Sequence, residues 1–130
     1  MKQENTNNDL CPCGSEKKYS DCCQPLHQGL QVATTALQLM KSRYAAYVKK
    51  EFQYLRDTTH RQAYDKINHD QNEEWAKSVR FFKLEILNHT EEGNKATVEF
   101  KAHFDNQGQE EVHHEKSYFR KDGGSWFFRQ

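Results

Sequence analysis

The sequence predicts an α+β fold, with N-terminal helices packed on one face of an antiparallel sheet and a small metal-closed knob ahead of them. Three observations carry that reading. Apolar residues recur at steps of three and four between positions 30 and 50, the period of a helix. From residue 80 onward the period drops to two, the period of a strand, and helices followed by a run of strands define the α+β class. All four cysteines fall between positions 11 and 23, where they can close a knob on itself but cannot cross-link the rest of the chain.

The 130-residue chain suits one compact domain with a small appendage. Hydrophobic content is only 35% but aromatics reach 12%, so the core is expected to rest on Phe, Tyr and Trp. Nineteen Lys and Arg balance nineteen Asp and Glu, which removes the global field that would draw nucleic acid or an anionic membrane. No apolar run approaches the ~20 residues of a membrane span. The first ten residues lack the apolar core of a secretory leader, so a cytoplasmic protein with reduced thiols is expected.

In chain order, residues 1–9 are polar and asparagine-rich and read as a flexible tail. Residues 10–25 form the knob. Its C-x-C and C-C pairs bring four thiolates to short range, which suits tetrahedral Zn²⁺. Pro12 stiffens the first bend, Gly14 permits a positive φ, and Ser15 can bond local amides. Disulfides and free redox-active thiols are the rivals. One of the three disulfide connectivities needs a vicinal Cys22–Cys23 bridge, whose geometry adjacent residues meet poorly. Cys11, Cys13, Cys22 and Cys23 would fill the metal's shell and leave no open position, so the Zn²⁺ is structural. Lys17 and Lys18 stand nearby to offset its charge.

Leu26-His27-Gln28-Gly29 reads as a linker, with His27 a spare ligand that four thiols make unnecessary. The body spans residues 28–130. Over residues 30–50 a helix gathers Ala33, Leu37, Met40, Tyr44 and Tyr47 or Val48 into one stripe, with Arg43 at its edge. Residues 51–59 suggest a short helix with Phe52 and Leu55 inward. Residues 61–77 are weakly helical, anchored by Ile67 and Trp75, with Asp70 or Asn72 as an internal cap. Phe82, Leu84 and Ile86 then share one face of a first strand. Ala96, Val98, Phe100, Ala102 and Phe104 alternate in the clearest strand, residues 112–120 form a third, and Trp126-Phe127-Phe128 begins a fourth. Turns fall at Gly93-Asn94, Gln107-Gly108 and Gly123-Gly124.

The knob sequence, Cys11-Pro12-Cys13-Gly14-Ser15-Glu16-Lys17-Lys18-Tyr19-Ser20-Asp21-Cys22-Cys23, resembles the SEC-C motif, the zinc-binding tail of the bacterial preprotein-translocase motor ATPase. In that ATPase the motif implies binding to a secretion chaperone and to ribosomes. In the body, Leu39-Met40-Lys41-Ser42-Arg43-Tyr44-Ala45-Ala46-Tyr47, Tyr54-Leu55 with Thr58-Thr59-His60, and His114-Glu115-Lys116-Ser117-Tyr118-Phe119 followed by Gly124-Ser125-Trp126-Phe127 resemble the YchJ-like family of uncharacterised bacterial proteins. That resemblance spans nearly the whole chain. It implies a cone-shaped nuclear-transport-factor-2-like fold, a curved sheet wrapped on a long helix around a pocket, and a bound metal, but no reaction.

Related cones include isomerases and dehydratases, so the third strand invites inspection. Lys116 prefers solvent, which turns His113, Glu115, Ser117 and Phe119 inward. Glu115 is then a pocket carboxylate, with Arg43 as its expected ion-pair partner and His60 as a third member of a candidate acid–base group. The first functional expectation is a docking or adaptor module whose knob meets a protein or ribosomal partner through Lys17, Lys18 and Tyr19. The alternative is a small-molecule-binding protein or isomerase-like enzyme using the pocket. A homodimer through the exposed sheet face is a third reading, and nucleic acid is expected only by way of a ribosome. His69, His89 and His103 are expected at the surface.

Overall fold

A computed structural model describes residues 10–129; the expectation for residues 1–9 lies outside them. Among these residues one 3-10 turn (Tyr19–Asp21) and five α-helices precede four strands. The helices are α1 (Gln24–His27), α2 (Ala36–Lys49), α3 (Phe52–Asp57), α4 (Arg61–Tyr64) and α5 (His69–Ser78), and the strands are β1 (Arg80–Glu92), β2 (Lys95–Asn106), β3 (Gln109–Asp122) and β4 (Ser125–Phe128). The strands form one antiparallel meander in the order β1-β2-β3-β4. No helix among the described residues is long and apolar enough to cross a membrane.

The long helix starts later than its periodicity suggests. Thr35 is its cap, the hydroxyl accepting from the Gln38 amide at 3.0 Å, and the extended approach leaves Leu30 and Val32 in solvent. Leu30 and Val32 precede the cap and stay exposed, so the helix begins only at Ala36. At the other end Lys50 adopts a left-handed φ of 63° and closes the last turn. Between these caps the run 42–46 is buried throughout, so α2 is enclosed on every side there. Leu39, Met40 and Tyr44 meet the sheet, while Ala45 meets the knob. Residues 61–77, expected to be weakly helical with an internal cap, form α4 and α5. The cap of α5 is Asn68, whose side chain accepts from the Gln71 amide, and not Asp70 or Asn72.

Strand β2 follows its predicted alternation, with Ala96, Val98, Phe100, Ala102 and Phe104 all buried against α2. Strand β1 departs from it. Register shifts near Phe82 and Leu87 each slip the pairing by one residue. Phe81 therefore opposes Phe104 and is buried, Leu84 opposes Ala102 and Ile86 opposes Phe100, while Phe82 is turned to solvent. The expected grouping of Phe82 with Leu84 and Ile86 fails because one extra residue reverses the phase. Aromatic packing dominates the resulting core: the Phe81 ring lies 5.7 Å from those of Trp75 and Phe104, and 6.0 Å from that of Tyr44.

Candidate functional site

The knob starts with a tight loop. The Cys11 amide donates to the Lys17 carbonyl at 2.8 Å, and Gly14 (φ 90°) turns the chain back so that Cys11 and Cys13 face inward. The single helical turn Tyr19–Asp21 then delivers Cys22 and Cys23 to the same point. The four Sγ atoms lie within 4.8 Å of one another, and the Cys13 and Cys22 sulfurs are 3.6 Å apart. A tetrahedron of ~2.3 Å metal–sulfur bonds has edges of about 3.8 Å, so the four sulfurs are able to hold one metal ion. All four thiols are unbridged. Hydrogen bonding to Cys11 holds the Cys13 thiol far below its ordinary pKa, and the same contact pushes Cys11 up to about 11. Hydrogen bonding to Cys11 and Cys13 pushes the Cys23 thiol well up in turn. The Ser15 hydroxyl adds a 3.2 Å contact to the Cys22 sulfur.

The knob does not hang on a linker. Leu26 and His27 belong to α1, and Leu26 is 2% exposed. Cys11, Cys13 and Cys23 pack on Ala45 of α2. His27 bolts the two parts together. Its Nε2 donates to the Ser42 carbonyl at 2.8 Å, which leaves Nδ1 to accept from the Tyr19 hydroxyl at 2.6 Å. Both ring nitrogens are then used, and neither is free for a metal. Burial holds the His27 pKa below its ordinary value and pushes the Tyr19 phenol up to about 12, so the ring stays neutral and the hydroxyl keeps its proton. Tyr19, expected on the contact surface, is half-buried beneath Lys49, whose Nζ lies 4.6 Å from the ring centre. Lys17 and Lys18 are exposed.

The second feature is a cavity of about 340 Å³ between α2, α5 and the sheet. Arg43 and Glu115 both line it, together with His69, His113 and Trp75. The expected triad does not assemble. Arg43 points its Nη1 at the Leu55 carbonyl (2.9 Å) and the Thr58 hydroxyl (2.8 Å), and Glu115 bonds His113 Nε2 at 2.7 Å and the Ser117 hydroxyl. No Arg43–Glu115 ion pair forms because each group has nearer partners. His60 lies away from the cavity. Its Nε2 meets Asp122 at 3.1 Å and its Nδ1 accepts from the Gln62 amide, which fastens α4 to the β3–β4 turn. The inward face of β3 is as expected at Ser117 and Phe119, both buried. His69, expected at the surface, lies at the cavity wall, its Nε2 donating to the Tyr64 carbonyl at 3.0 Å.

With both parts in view, likeness to known proteins is decisive. A model of the YchJ middle NTF2-like domain matches residues 35–130, and a SEC-C motif model matches residues 8–25. The chain belongs to the YchJ family. A UPF0225 protein of Geobacter sulfurreducens is 41% identical over 123 residues, covering 92% of this chain and 76% of that protein. A UPF0225 protein of Haemophilus influenzae is 40% identical over 120 residues, covering 91% and 74%. The solution structure of a SEC-C motif containing protein from Rhodopseudomonas palustris is similar with a TM-score of 0.86 and 43% identity, covering 93% of this chain and 95% of that one. A crystal structure of a SEC-C motif containing protein from Psychrobacter arcticus has a TM-score of 0.83 at 34% identity, covering 96% and 82%.

In this YchJ-family chain the roles that sequence reasoning did not assign are those of His27, read only as a spare ligand, and of His113, read only as an inward residue of β3. Nothing in the linear chain marks the approach of His27 to the Ser42 carbonyl, fifteen positions on. His113 sits two positions from Glu115 on one strand, the spacing that puts both on one face.

Proposed function

We propose that this chain is a zinc-closed docking module of the reducing cytoplasm. Cys11, Cys13, Cys22 and Cys23 hold a structural Zn²⁺, and the exposed edge at Lys17 and Lys18 engages a protein or ribosomal partner. The convergence of four Sγ atoms within 4.8 Å carries the reading. Four soft thiolates in a closed shell favour zinc and exclude substrate from the metal. Tyr19 contributes by bracing the knob rather than by touching the partner, since its hydroxyl is taken by His27.

The test captures partners from bacterial lysate with the zinc-loaded chain and with a Lys17→Glu/Lys18→Glu variant, and adds cosedimentation with purified ribosomes. A partner or ribosome fraction retained by the native chain and lost by the variant, at equal metal content and equal circular dichroism, supports docking through this edge. Equal recovery by both overturns it.

A second reading is favoured by the cavity, which is large enough to bind a small molecule. Binding fits it better than catalysis. The hydrogen bond from His113 holds the Glu115 pKa below the ordinary carboxylate value, whereas a general acid or base works best near the operating pH.

A further inference from the structure

We infer that the cavity between α2 and the sheet binds a small organic monocarboxylate with an aromatic or apolar body, anchored on the guanidinium of Arg43. The inference rests on the cavity being a ligand site, the second reading above, and names its ligand class.

Arg43 is 8% exposed, yet no carboxylate pairs with it among the described residues. A charge taken out of water without an opposite charge is costly, and buried charges are ordinarily paired. Its hydrogen bonds all leave from one nitrogen. Nη1 donates to the Leu55 carbonyl, to the Thr58 hydroxyl and, at 3.5 Å, to the Thr59 hydroxyl, while the Phe128 ring lies 4.4 Å from Cζ. The edge formed by Nε and Nη2 has no hydrogen-bond partner among the described residues. That edge is not sealed in packed protein either: Trp126 Nε1 is the one fully buried side-chain nitrogen or oxygen without a partner among them. Arg43 is a wall of the cavity, so its free edge opens there. Two parallel N–H donors in a fixed fork match the two oxygens of a carboxylate.

The acid already in the cavity does not fill this role. Glu115 turns its oxygens to His113 and Ser117 and makes no hydrogen bond to Arg43, so the two charges attract across the cavity without contact. The remaining walls set the rest of the ligand. Tyr44, Trp75, Phe81, Phe100 and Phe119 present rings and apolar surface. A volume of about 340 Å³ lies at the low end of the roughly 300–1,000 Å³ of small-molecule sites, which suits a metabolite and excludes a dinucleotide. One unpaired cation balances one negative charge; a phosphate dianion would carry a second, uncompensated charge into an apolar space.

The test titrates the full, metal-loaded, isotope-labelled chain with benzoate and 1-naphthoate, then with their methyl esters and with benzylamine. Nuclear magnetic resonance follows the Arg43 Nε–H and the Trp75 indole N–H. The expected result is that the carboxylates shift both signals, the esters bind at least tenfold more weakly, and benzylamine moves neither. Esters binding as well as acids, or benzylamine binding best, would overturn the carboxylate assignment and leave the cavity a ligand site. No movement of either signal with any probe would remove both. Because Arg43→Met also loses the Leu55 and Thr58 contacts, an Ala102→Leu variant narrows the cavity and leaves the guanidinium in place. Both variants are expected to lose carboxylate binding, and retention by either overturns the inference.

Discussion

In the cone, rings and methyl groups fill the space between α2 and the sheet, and Leu39 and Val98 are almost without solvent contact. In the knob, three buried cysteines meet one alanine of the same helix, and a single histidine supplies the polar link. The cone's order comes from many weak contacts, so no one of them is indispensable. The knob's order is concentrated in four converging cysteines and one imidazole. The contrast teaches that α2 works as a common wall: its sheet-facing residues are secured by area, its knob-facing residues by a few directed bonds.

The largest effect expected to separate the two parts is removal of the metal proposed for the knob. Structural zinc contributes on the order of 10 kcal/mol of apparent binding free energy to small cysteine sites. Excess chelator is expected to collapse the amide signals of Cys11, Cys13, Tyr19 and Cys22 while those of Val98 and Phe100 stay dispersed. Loss of dispersion across the sheet as well would show the cone to depend on the knob.

Next comes the core. Leu39 is 1% exposed, and truncation to alanine there should destabilise by about 2–5 kcal/mol in urea unfolding, with metal content unchanged in the folded fraction. A change below ~1 kcal/mol would mean that the helix repacks on the sheet.

The bolt is smaller. His27→Ala leaves the Ser42 carbonyl and the Tyr19 hydroxyl without their partner, a loss of about 1–3 kcal/mol. The variant should keep its metal but exchange the knob's amide hydrogens faster than the native chain does. Unchanged exchange would assign the docking of the knob to the Ala45 contact alone.

The smallest effect belongs to the cavity mouth. Hydrogen bonding to Glu115 raises the His113 pKa above 6.5, and hydrogen bonding to His113 lowers that of Glu115 below 4.5. The raised histidine stabilises the fold below 6.5 and loses that contribution as pH rises through its folded value. The lowered carboxylate stabilises it above 4.5 and loses that as pH falls through its folded value. The stability difference between the native chain and His113→Gln should therefore be greatest between about pH 4.5 and 6.5. Since His113 is half exposed, its size is about 0.2–1 kcal/mol. A difference that stays flat from pH 4 to 9 would deny the pair a charged state.

Local rules made most of the fold legible. The alternation of β2 and the thiol spacing each follow from period or valence, and both stand out in the linear chain. What escaped depended on geometry between distant segments. The extra residue near Phe82 reverses the face of β1, and an aromatic pair at 81–82 gives no sign of which ring is buried. The Arg43 guanidinium found a carbonyl and a hydroxyl on its own neighbouring helix, so a long-range ion pair with Glu115 was not needed. Histidine roles were the least legible, because His27, His60, His69 and His113 each take their function from a partner that only folding supplies.

The enclosed run 42–46 of α2 has a mechanical consequence. Ser42 offers its carbonyl to the knob, and Arg43, one position on, reaches the cavity. Successive residues on a helix are about 100° apart, so inserting a single residue before position 42 would turn both surfaces out of phase together. The spacing between the cysteines and the cavity is thus geared by one shaft, and no length of flexible chain can substitute for it. To transplant this knob onto another body with its orientation intact, the graft has to carry the helix as well as the thirteen-residue cysteine segment.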